Sequence, residues 1–385
     1  MGEIEKPELA ERSEVMGDVA RPSSAQPTFG DAVDLDRVST WLRLGTNGDQ
    51  LPAAPASGDL LTRGVTVAIC TYQRAVSLVR LLDSLVTQVP VPARVIIVDA
   101  SPNGETERAL RTYDRFGVAD GDLLYFRVMG QLRGLTRQRN FALRWVTTDL
   151  VAFFDDDIVL RPGCCFELER QHRELGDEVV GVGALIENQI QPPWLGWRVR
   201  KWLRIVSHLR PGTFSRSGIP IPWHFVSAAE DGLLEGDWLP GGATMWRTAP
   251  AREVGFNERF EGYGNGEDLD FSFRIRPKGR LAVAGRARVL HLHDEGGRPD
   301  AYEMGYESVR NWHDIHRRCL PNRTWADVAY FLYAFWLDAL IQFVAVLKGE
   351  NLQGRWRFLL GRVRFLVDLC LGKSGERSRV AAKRP

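Results

Sequence analysis

A buried strand that ends in three carboxylates is the feature that most constrains this chain. Residues 150–154 are apolar, and Asp155, Asp156 and Asp157 follow them directly. Such a run is typical of a strand inside a sheet, and open α/β folds bind their ligands beyond the carboxyl ends of such strands. Adjacent carboxylates repel one another unless a cation binds among them. The pattern therefore predicts a site for Mg²⁺ or Mn²⁺ and a phosphorylated substrate, with a solvated acidic turn as the alternative.

Strand and helix patterns alternate through the region around this strand. The predicted strands cover 65–70, 94–98, 123–128 and 150–154, and the predicted helices cover 75–88, 105–116 and 136–145. Repeated β-α units of this spacing favour an α/β fold with a mostly parallel sheet flanked by helices. Functional residues are then expected where the strands end.

Three predicted strands end in polar residues that should converge on one crevice. Thr71 and Tyr72 end the first strand, and Asp99 ends the second. Asp99 can accept a hydrogen bond from a nucleoside base or ribose hydroxyl, and a turn or helix-capping carboxylate is an equal alternative. The helix before the acidic strand offers further donors, with a solvated helix surface as the alternative: Arg137, Arg139 and Asn140.

A second acidic cluster lies in a glycine-rich segment at 262–270. Glu267 and Asp268 should lie where this loop meets a more rigid element, which suits a general base that takes a proton from an attacking hydroxyl. A capping pair in a turn is the alternative. Downstream, His291 and His293 follow the predicted strand 281–290 and should face the same side, as metal ligands or donors to phosphate.

Read in order, several segments resemble inverting family 2 glycosyltransferases of GT-A fold. The donor-side segments are VAICTYQR at 67–74, VIIVD at 95–99, RQRN at 137–140 and FFDDD at 153–157, and the acceptor-side segments are GGATM at 241–245 and GEDLD at 266–270. The resemblance covers roughly residues 65 to 320. The ordered combination is more specific than any single motif.

The resemblance implies roles for individual residues. Asp155 would contact the nucleoside sugar, Asp157 would bind the metal together with His291 or His293, and Asp268 would be the catalytic base beside Glu267. The residues assigned to donor binding are Thr71, Tyr72, Arg74, Asp99, Arg137, Asn140, Asp155 and Asp156. After the second strand the family often has two acids and Gly-Ser, whereas this chain has Asp-Ala-Ser-Pro at 99–102. This difference leaves the nucleoside diphosphate of the donor open among UDP, dTDP and GDP.

The implied reaction moves a sugar from a nucleoside diphosphate to a glycan or lipid-linked acceptor with inversion. A bound metal neutralises the departing diphosphate, and Asp268 deprotonates the acceptor hydroxyl. The tryptophan-rich segment 194–238 suits sugar rings or a lipid-linked acceptor, although several of these rings should be core. The alternatives are a metal-dependent nucleotidyltransferase or phosphohydrolase, or a non-catalytic sugar-nucleotide-binding membrane scaffold.

The chain is expected to divide into four parts. Residues 1–63 form a partly disordered extension with a short helix at 33–44. Residues 64–320 form the catalytic domain, with a nucleotide-sugar half at 64–185 and an acceptor half at 186–320. Residues 321–372 form apolar and basic helices, and 373–385 a basic tail.

The C-terminal helices are expected to act at a membrane interface or in homo-oligomerisation. The apolar segment 328–347 is about long enough to cross a bilayer, but it contains Asp338 and Gln342, which favours a helix at the interface or against the catalytic domain. Beyond it, an apolar stripe flanked by arginines excludes Phe358 and Phe365: Trp356, Leu359, Leu360, Val363, Leu366 and Val367. A net charge of +1 gives no argument for nucleic acid. We expect a cytoplasmic protein, peripheral at the inner face of the membrane.

Overall fold

The computed structural model describes residues 43–45, 61–113, 122–294, 296, 299–319, 324–347 and 352–373. In these ranges one sheet contains β1 (Arg43–Gly45), β2 (Thr62–Thr71), β3 (Arg94–Asp99), β4 (Asp122–Arg127), β5 (Thr148–Asp155), β6 (Ile158–Leu160), β7 (Val179–Ile186), β8 (Leu233–Gly236), β9 (Ala243–Arg247) and β10 (Arg280–His291). The strand order is β1-β4-β3-β2-β5-β9-β7-β10-β6, with β8 also paired to β10. The predicted α/β fold is confirmed.

Helices flank the sheet and extend beyond its C-terminal strand. They are α1 (Ala75–Leu85), α2 (Glu105–Arg111), α3 (Leu135–Leu143), α4 (Cys164–Leu175), α5 (Leu195–Trp202), α6 (Thr248–Val254), α7 (Glu267–Ile275), α8 (Ala301–Cys319), α9 (Trp325–Leu347) and α10 (Leu352–Cys370). The predicted helices 75–88 and 105–116 end earlier, at Leu85 and Arg111.

The pairing register brings the carboxyl ends of the parallel strands to one edge. On β2, Thr71 pairs with Asp99 of β3, and Cys70 pairs with Asp155 of β5. Strand β9 then runs antiparallel between β5 and β7, while β10 is parallel to β7. This arrangement places the loop before β9 beside the acidic end of β5.

Alternating side chains of the central strands fill two separate cores. Val67 and Ile69 pack in the same cluster as the buried leucines of α1, which recur at helical spacing: Leu78, Leu81, Leu82 and Leu85. Ala68 faces the opposite side, in a cluster with Phe141 of α3 and Phe153. Burial on both faces explains why β2, β3 and β5 read as continuous apolar runs.

The C-terminal helices form a third cluster against α5, in which Phe365 packs edge-on against Tyr306. The predicted apolar stripe of α10 is wrong in part, because its members Leu359 and Leu366 are buried in the protein, as is Phe365, whereas Trp356, Leu360 and Val367 are exposed. Among the described residues, α9 is the one helix long and apolar enough to cross a membrane, and one face of it is buried in the protein.

Most of the predicted N-terminal extension and the tail at 374–385 lie outside the described residues. Within the extension, Arg43–Gly45 pairs parallel to β4. The helix predicted at 33–44 is therefore wrong at residues 43 and 44, and residues 33–42 lie outside the described part of the chain.

Candidate active site

A cleft of about 560 Å³ opens at the carboxyl edge of the sheet. The ends of β2 and β5, the loop before β9, the N-terminus of α7 and the end of β10 line it. Both acidic clusters predicted from the sequence therefore share one cavity, although more than 100 residues separate them along the chain. Trp238 also lines the cleft, whereas Trp197 and Trp223 belong to the core.

Asp155, Asp157 and His291 form a group that could hold a metal ion. One ligand atom from each lies within 4.8 Å of the other two. His291 Nε2 lies 3.0 Å from Asp157 Oδ1, and the Asp157 side chain is buried. Burial alone would raise the pKa of Asp157, but His291 and Arg74 lower it, so the carboxylate is ionised. Two carboxylates and an imidazole fit a divalent cation and do not distinguish Mg²⁺ from Mn²⁺.

His293 lies outside this metal-binding group. Strand β10 ends at His291, and His293 has a φ of 55°, so the two residues no longer share one extended segment. The His293 ring stacks on His291 with centroids 4.1 Å apart, and its Nε2 is 2.9 Å from Gln189 Nε2. The assumed strand geometry fails because the chain turns after His291.

Asp156 anchors the acidic turn from within. It accepts hydrogen bonds from Thr71 Oγ1 at 2.6 Å and Arg74 Nη1 at 3.0 Å. Arg74 also donates to the carbonyl groups of Asp294 and Gly296, which ties the end of β2 to the segment after β10. Burial raises the pKa of Asp156 to about 7, against the opposing effect of Arg74.

Asp99 is a turn carboxylate, as in the alternative interpretation of the sequence. It is fully buried and accepts hydrogen bonds from Tyr125 Oη and the Ser101 amide, each at 2.8 Å. Tyr72, by contrast, lines the cleft, and the guanidinium of Arg133 lies 4.5 Å from the centre of its ring. Arg133 was not predicted, because no sequence periodicity marks an arginine in a turn.

The arginine of α3 that enters the cleft is Arg139, whereas the sequence analysis assigned Arg137 to donor binding. Arg137 lies 3.8 Å from Glu258 and from Glu261, and Asn140 bonds the backbone of Phe256, so neither contributes to the cleft lining in the described structure. Arg139 is buried and lines the cleft instead. It stands three residues after Thr136 and three before Ala142, both of which are buried. The helical period could have identified it.

Arg139 joins the two halves of the cleft. It donates to Glu267 Oε1 at 2.6 Å, to Asp155 Oδ1 at 3.1 Å and to the carbonyl of Gly241 at 3.0 Å. Burial raises the pKa of Glu267 to about 8, and Arg139 opposes that rise. Glu267 is therefore held by its arginine inside the protein.

The Gly241-Gly242 pair allows the backbone to pass between the acidic clusters. A Cβ atom on Gly242 would lie 2.4 Å from Asp155 Oδ2, and one on Gly241 would lie 2.7 Å from Glu267 Oε1. The pair also makes direct bonds, because the Asp155 amide donates to the Gly242 carbonyl at 2.9 Å. No larger residue fits this approach without displacing a site carboxylate.

Asp268 is the more accessible of the two acids at the start of α7. It is half-buried and lines the cleft, and Gly266, with a φ of 86°, precedes the helix. Its Oδ2 accepts from the Gly241 amide at 3.2 Å, and its Oδ1 accepts from the Leu269 amide at 2.8 Å. Burial raises the pKa of Asp268, while the two amides and Arg139 oppose the rise. The arrangement leaves an oriented carboxylate facing the cavity.

The chain is similar to known proteins in a sequence family and in fold. Residues 66–227 match the family described as Glycosyl transferase family 2. A mannosyltransferase of Pyrobaculum calidifontis, solved with GDP-Man and Mn²⁺, superposes with a TM-score of 0.50 at 16% identity, covering 80% of this chain and 89% of that chain. TarS 1–349 of S. aureus superposes with a TM-score of 0.46 at 17% identity, covering 82% of each chain. No curated protein matches the chain.

The structural similarity shows a GT-A fold, and the family match together with that fold supports a glycosyltransferase. The stretch that matches glycosyl transferase family 2 is residues 66–227.

Proposed function

We propose that the chain transfers a hexose from a nucleoside diphosphate sugar to a hydroxyl of a glycan or lipid-linked acceptor, with inversion at the sugar. The observation that carries the proposal is the single cleft that brings the group Asp155, Asp157 and His291 together with Asp268. A donor diphosphate at the first group and an acceptor hydroxyl at the second would meet across this cavity. The catalytic unit we propose is 64–320.

The residues of the first group are proposed to hold Mg²⁺ or Mn²⁺. Such an ion, when bound, neutralises charge on the departing nucleoside diphosphate. Arg74 and Thr71 hold Asp156 behind this group, which fixes the acidic turn that carries Asp155 and Asp157. Tyr72 and Arg133 supply a planar surface at the same end of the cleft, suited to a nucleoside.

Asp268 is proposed to be the general base. The amides of Gly241 and Leu269 orient its carboxylate, and burial raises its pKa, which makes the ionised carboxylate a stronger base. Glu267, bonded to Arg139, is proposed to position Asp268 and Gly241 instead of taking the proton.

A direct displacement agrees with the other groups in the cleft. Cys70 lies in the lining, and burial raises the pKa of its thiol to about 12, so it is protonated at neutral pH and a poor nucleophile. A single displacement by the acceptor oxygen forms the new glycosidic bond, breaks the bond to the diphosphate and inverts the anomeric centre. The acceptor proton goes to Asp268.

We propose a cytoplasmic location, peripheral at the inner face of the membrane, and a role in polysaccharide synthesis. The cysteines of the described residues are free thiols, which fits a reducing compartment. An apolar and basic C-terminal region suits an acceptor carried on lipid.

The test is a panel of nucleotide sugars screened by thermal shift with and without Mn²⁺. We expect a metal-dependent rise in Tm with one nucleoside diphosphate family, lost in Asp157→Asn and kept in Asp177→Asn, which changes an exposed carboxylate. Asp268→Asn should abolish transfer while the donor-induced shift persists. Absence of a shift in folded protein would favour the phosphohydrolase or scaffold alternatives, and turnover retained by Asp268→Asn would refute the base assignment.

A further inference from the structure

Helix α9 carries its charges inside the protein and its apolar residues outside. Asp327 and Asp338 are buried, and over the described length of the helix every exposed residue is uncharged. The exposed side chains follow helical spacing in a stripe about 100° wide: Trp325, Ala326, Ala329, Tyr333, Trp336, Leu340, Phe343, Val344 and Leu347. A helix that faces water shows the reverse pattern.

The inward charges fix the orientation of α9. Asp338 Oδ1 accepts from Arg200 of α5 at 2.6 Å, and its Oδ2 lies 2.8 Å from Arg362 of α10. Burial would raise the pKa of Asp338, but the two arginines lower it. A helix crossing a bilayer alone would pull Asp338 away from both partners, so α9 is held along the protein with its stripe outward.

Neighbouring helices continue the apolar surface. Tyr330 and Tyr333 of α9 bond the carbonyl groups of Arg204 and Leu203, directly after α5, where Trp202 is 80% exposed. On the other side, Phe343 lies 6.2 Å from Trp356 of α10 between ring centroids. The docking face, as we name it, consists of Trp202, Tyr333, Trp336, Leu340, Phe343 and Trp356.

Basic side chains accompany the docking face. The exposed charged side chains in the described parts of α5 and α10 are all cationic. They are Arg198, Lys201, Arg355, Arg357 and Arg364. Arginine and lysine beside exposed tryptophan, tyrosine and leucine are what an interfacial helix presents to anionic lipid. A second copy of this chain would bring like charges together on this face.

We propose that the docking face binds the surface of an anionic bilayer, with α9 lying in the interfacial plane over its length of about 35 Å. The proposal deepens the membrane location within the proposed function by naming the surface that touches lipid. It also places the acceptor end of the cleft near lipid, because α8 lies between the two. Asn311 Nδ2 of α8 donates a hydrogen bond at 2.7 Å to the carbonyl of Asn265, in the loop before Glu267. The ring centroids of Trp312 of α8 and Phe335 of α9 are 5.9 Å apart.

The test is co-sedimentation of the full chain with vesicles of phosphatidylcholine alone or mixed with phosphatidylglycerol. We expect binding to the mixed vesicles that weakens with salt. Trp336→Glu/Leu340→Glu should reduce it at least about tenfold, because both changes place charge in the interfacial face. Arg198→Gln/Lys201→Gln should reduce it by about fivefold per lost cation. Phe166→Glu, at an exposed apolar position of α4, is the matched control and should bind as wild type.

Several outcomes would overturn the proposal. The first is equal binding to neutral vesicles, and the second is unchanged binding by the Trp336→Glu/Leu340→Glu variant. The third is a wild-type protein that does not bind vesicles but forms a dimer, which dissociates in this variant. Thermal melting of each variant shows that it is folded. Vesicle binding requires neither donor nor metal, so its failure is distinguishable from failure of the nucleotide-sugar panel, which is run without lipid.

Discussion

Arg139 Nη1 donates a hydrogen bond to Glu267 Oε1 at 2.6 Å, and both side chains are buried. Arg139 Nη2 donates to Asp155 Oδ1 at 3.1 Å. One side chain thus spans the carboxyl end of β5 and the first turn of α7, which the chain brings together only by folding. The planar fork of arginine satisfies several oxygens at once, and a lysine ammonium reproduces this poorly.

Arg139→Gln should destabilise the protein by about 3 to 5 kcal/mol, because it leaves Glu267 buried without its charged partner. Arg139→Lys should recover part of the loss. Urea unfolding measures the change, and Arg137→Gln, at a half-buried position of the same helix, should cost less than about 1 kcal/mol. Equal effects at the two positions would contradict the role given to Arg139.

Gly242→Ala should weaken the metal-dependent thermal shift as well as the fold. The added Cβ would lie 2.4 Å from Asp155 Oδ2, so the carboxylate or the strand must move, at a cost of about 1 to 3 kcal/mol. Gly354→Ala in α10 is the matched control, since its Cβ would meet no atom within 4 Å. The control should be neutral or stabilising by up to about 1 kcal/mol. A Gly242→Ala protein with an unaltered Mn²⁺-dependent shift would show that Asp155 tolerates displacement.

Because of the buried His172, we expect the protein to lose stability in mild acid. It is buried on α4 with Nε2 at 3.0 Å from the Met245 carbonyl, and burial lowers its pKa from 6.5 to about 4. Between these two values the unfolded chain binds the proton and the folded chain does not, so stability is complete above about 6.5 and declines as pH falls toward 4. His172→Gln should flatten this part of the curve, measured as urea midpoint against pH. The same slope in both proteins would exclude His172 as its source.

The sequence alone located those strand ends and cleft residues that a single local pattern determines. Apolar runs and the acids after them located the strand end at Asp155, and the glycine-rich segment located Asp268. Prediction failed where tertiary packing decides. Arg139 and Arg137 differ only in the helix face they occupy. Whether His293 shares a side with His291 depends on where β10 stops pairing.

Helix α9 shows the same limit in a different form. Its composition reads as a span interrupted by Asp338, and the sequence alone does not show which face meets the protein. Only the partners on α5 and α10 reveal that the acid points inward. The charge that counted against a bilayer span in the sequence is therefore compatible with lipid contact on the opposite face.

The three-residue ion cluster of Arg200, Asp338 and Arg362 supports a final prediction. Asp338→Asn leaves the buried Arg362 and the partly buried Arg200 without a carboxylate, and it should cost about 3 to 5 kcal/mol in urea unfolding. Asp231→Asn, which breaks the exposed pair with Arg286, should cost less than about 1 kcal/mol. Replacing all three residues of the cluster by Met, Leu and Met should recover most of the stability, because desolvation of the charges disappears with them. If Asp338→Asn were as mild as Asp231→Asn, the cluster would not be what holds α9 against the protein, and the outward direction of its apolar stripe would lose its main support.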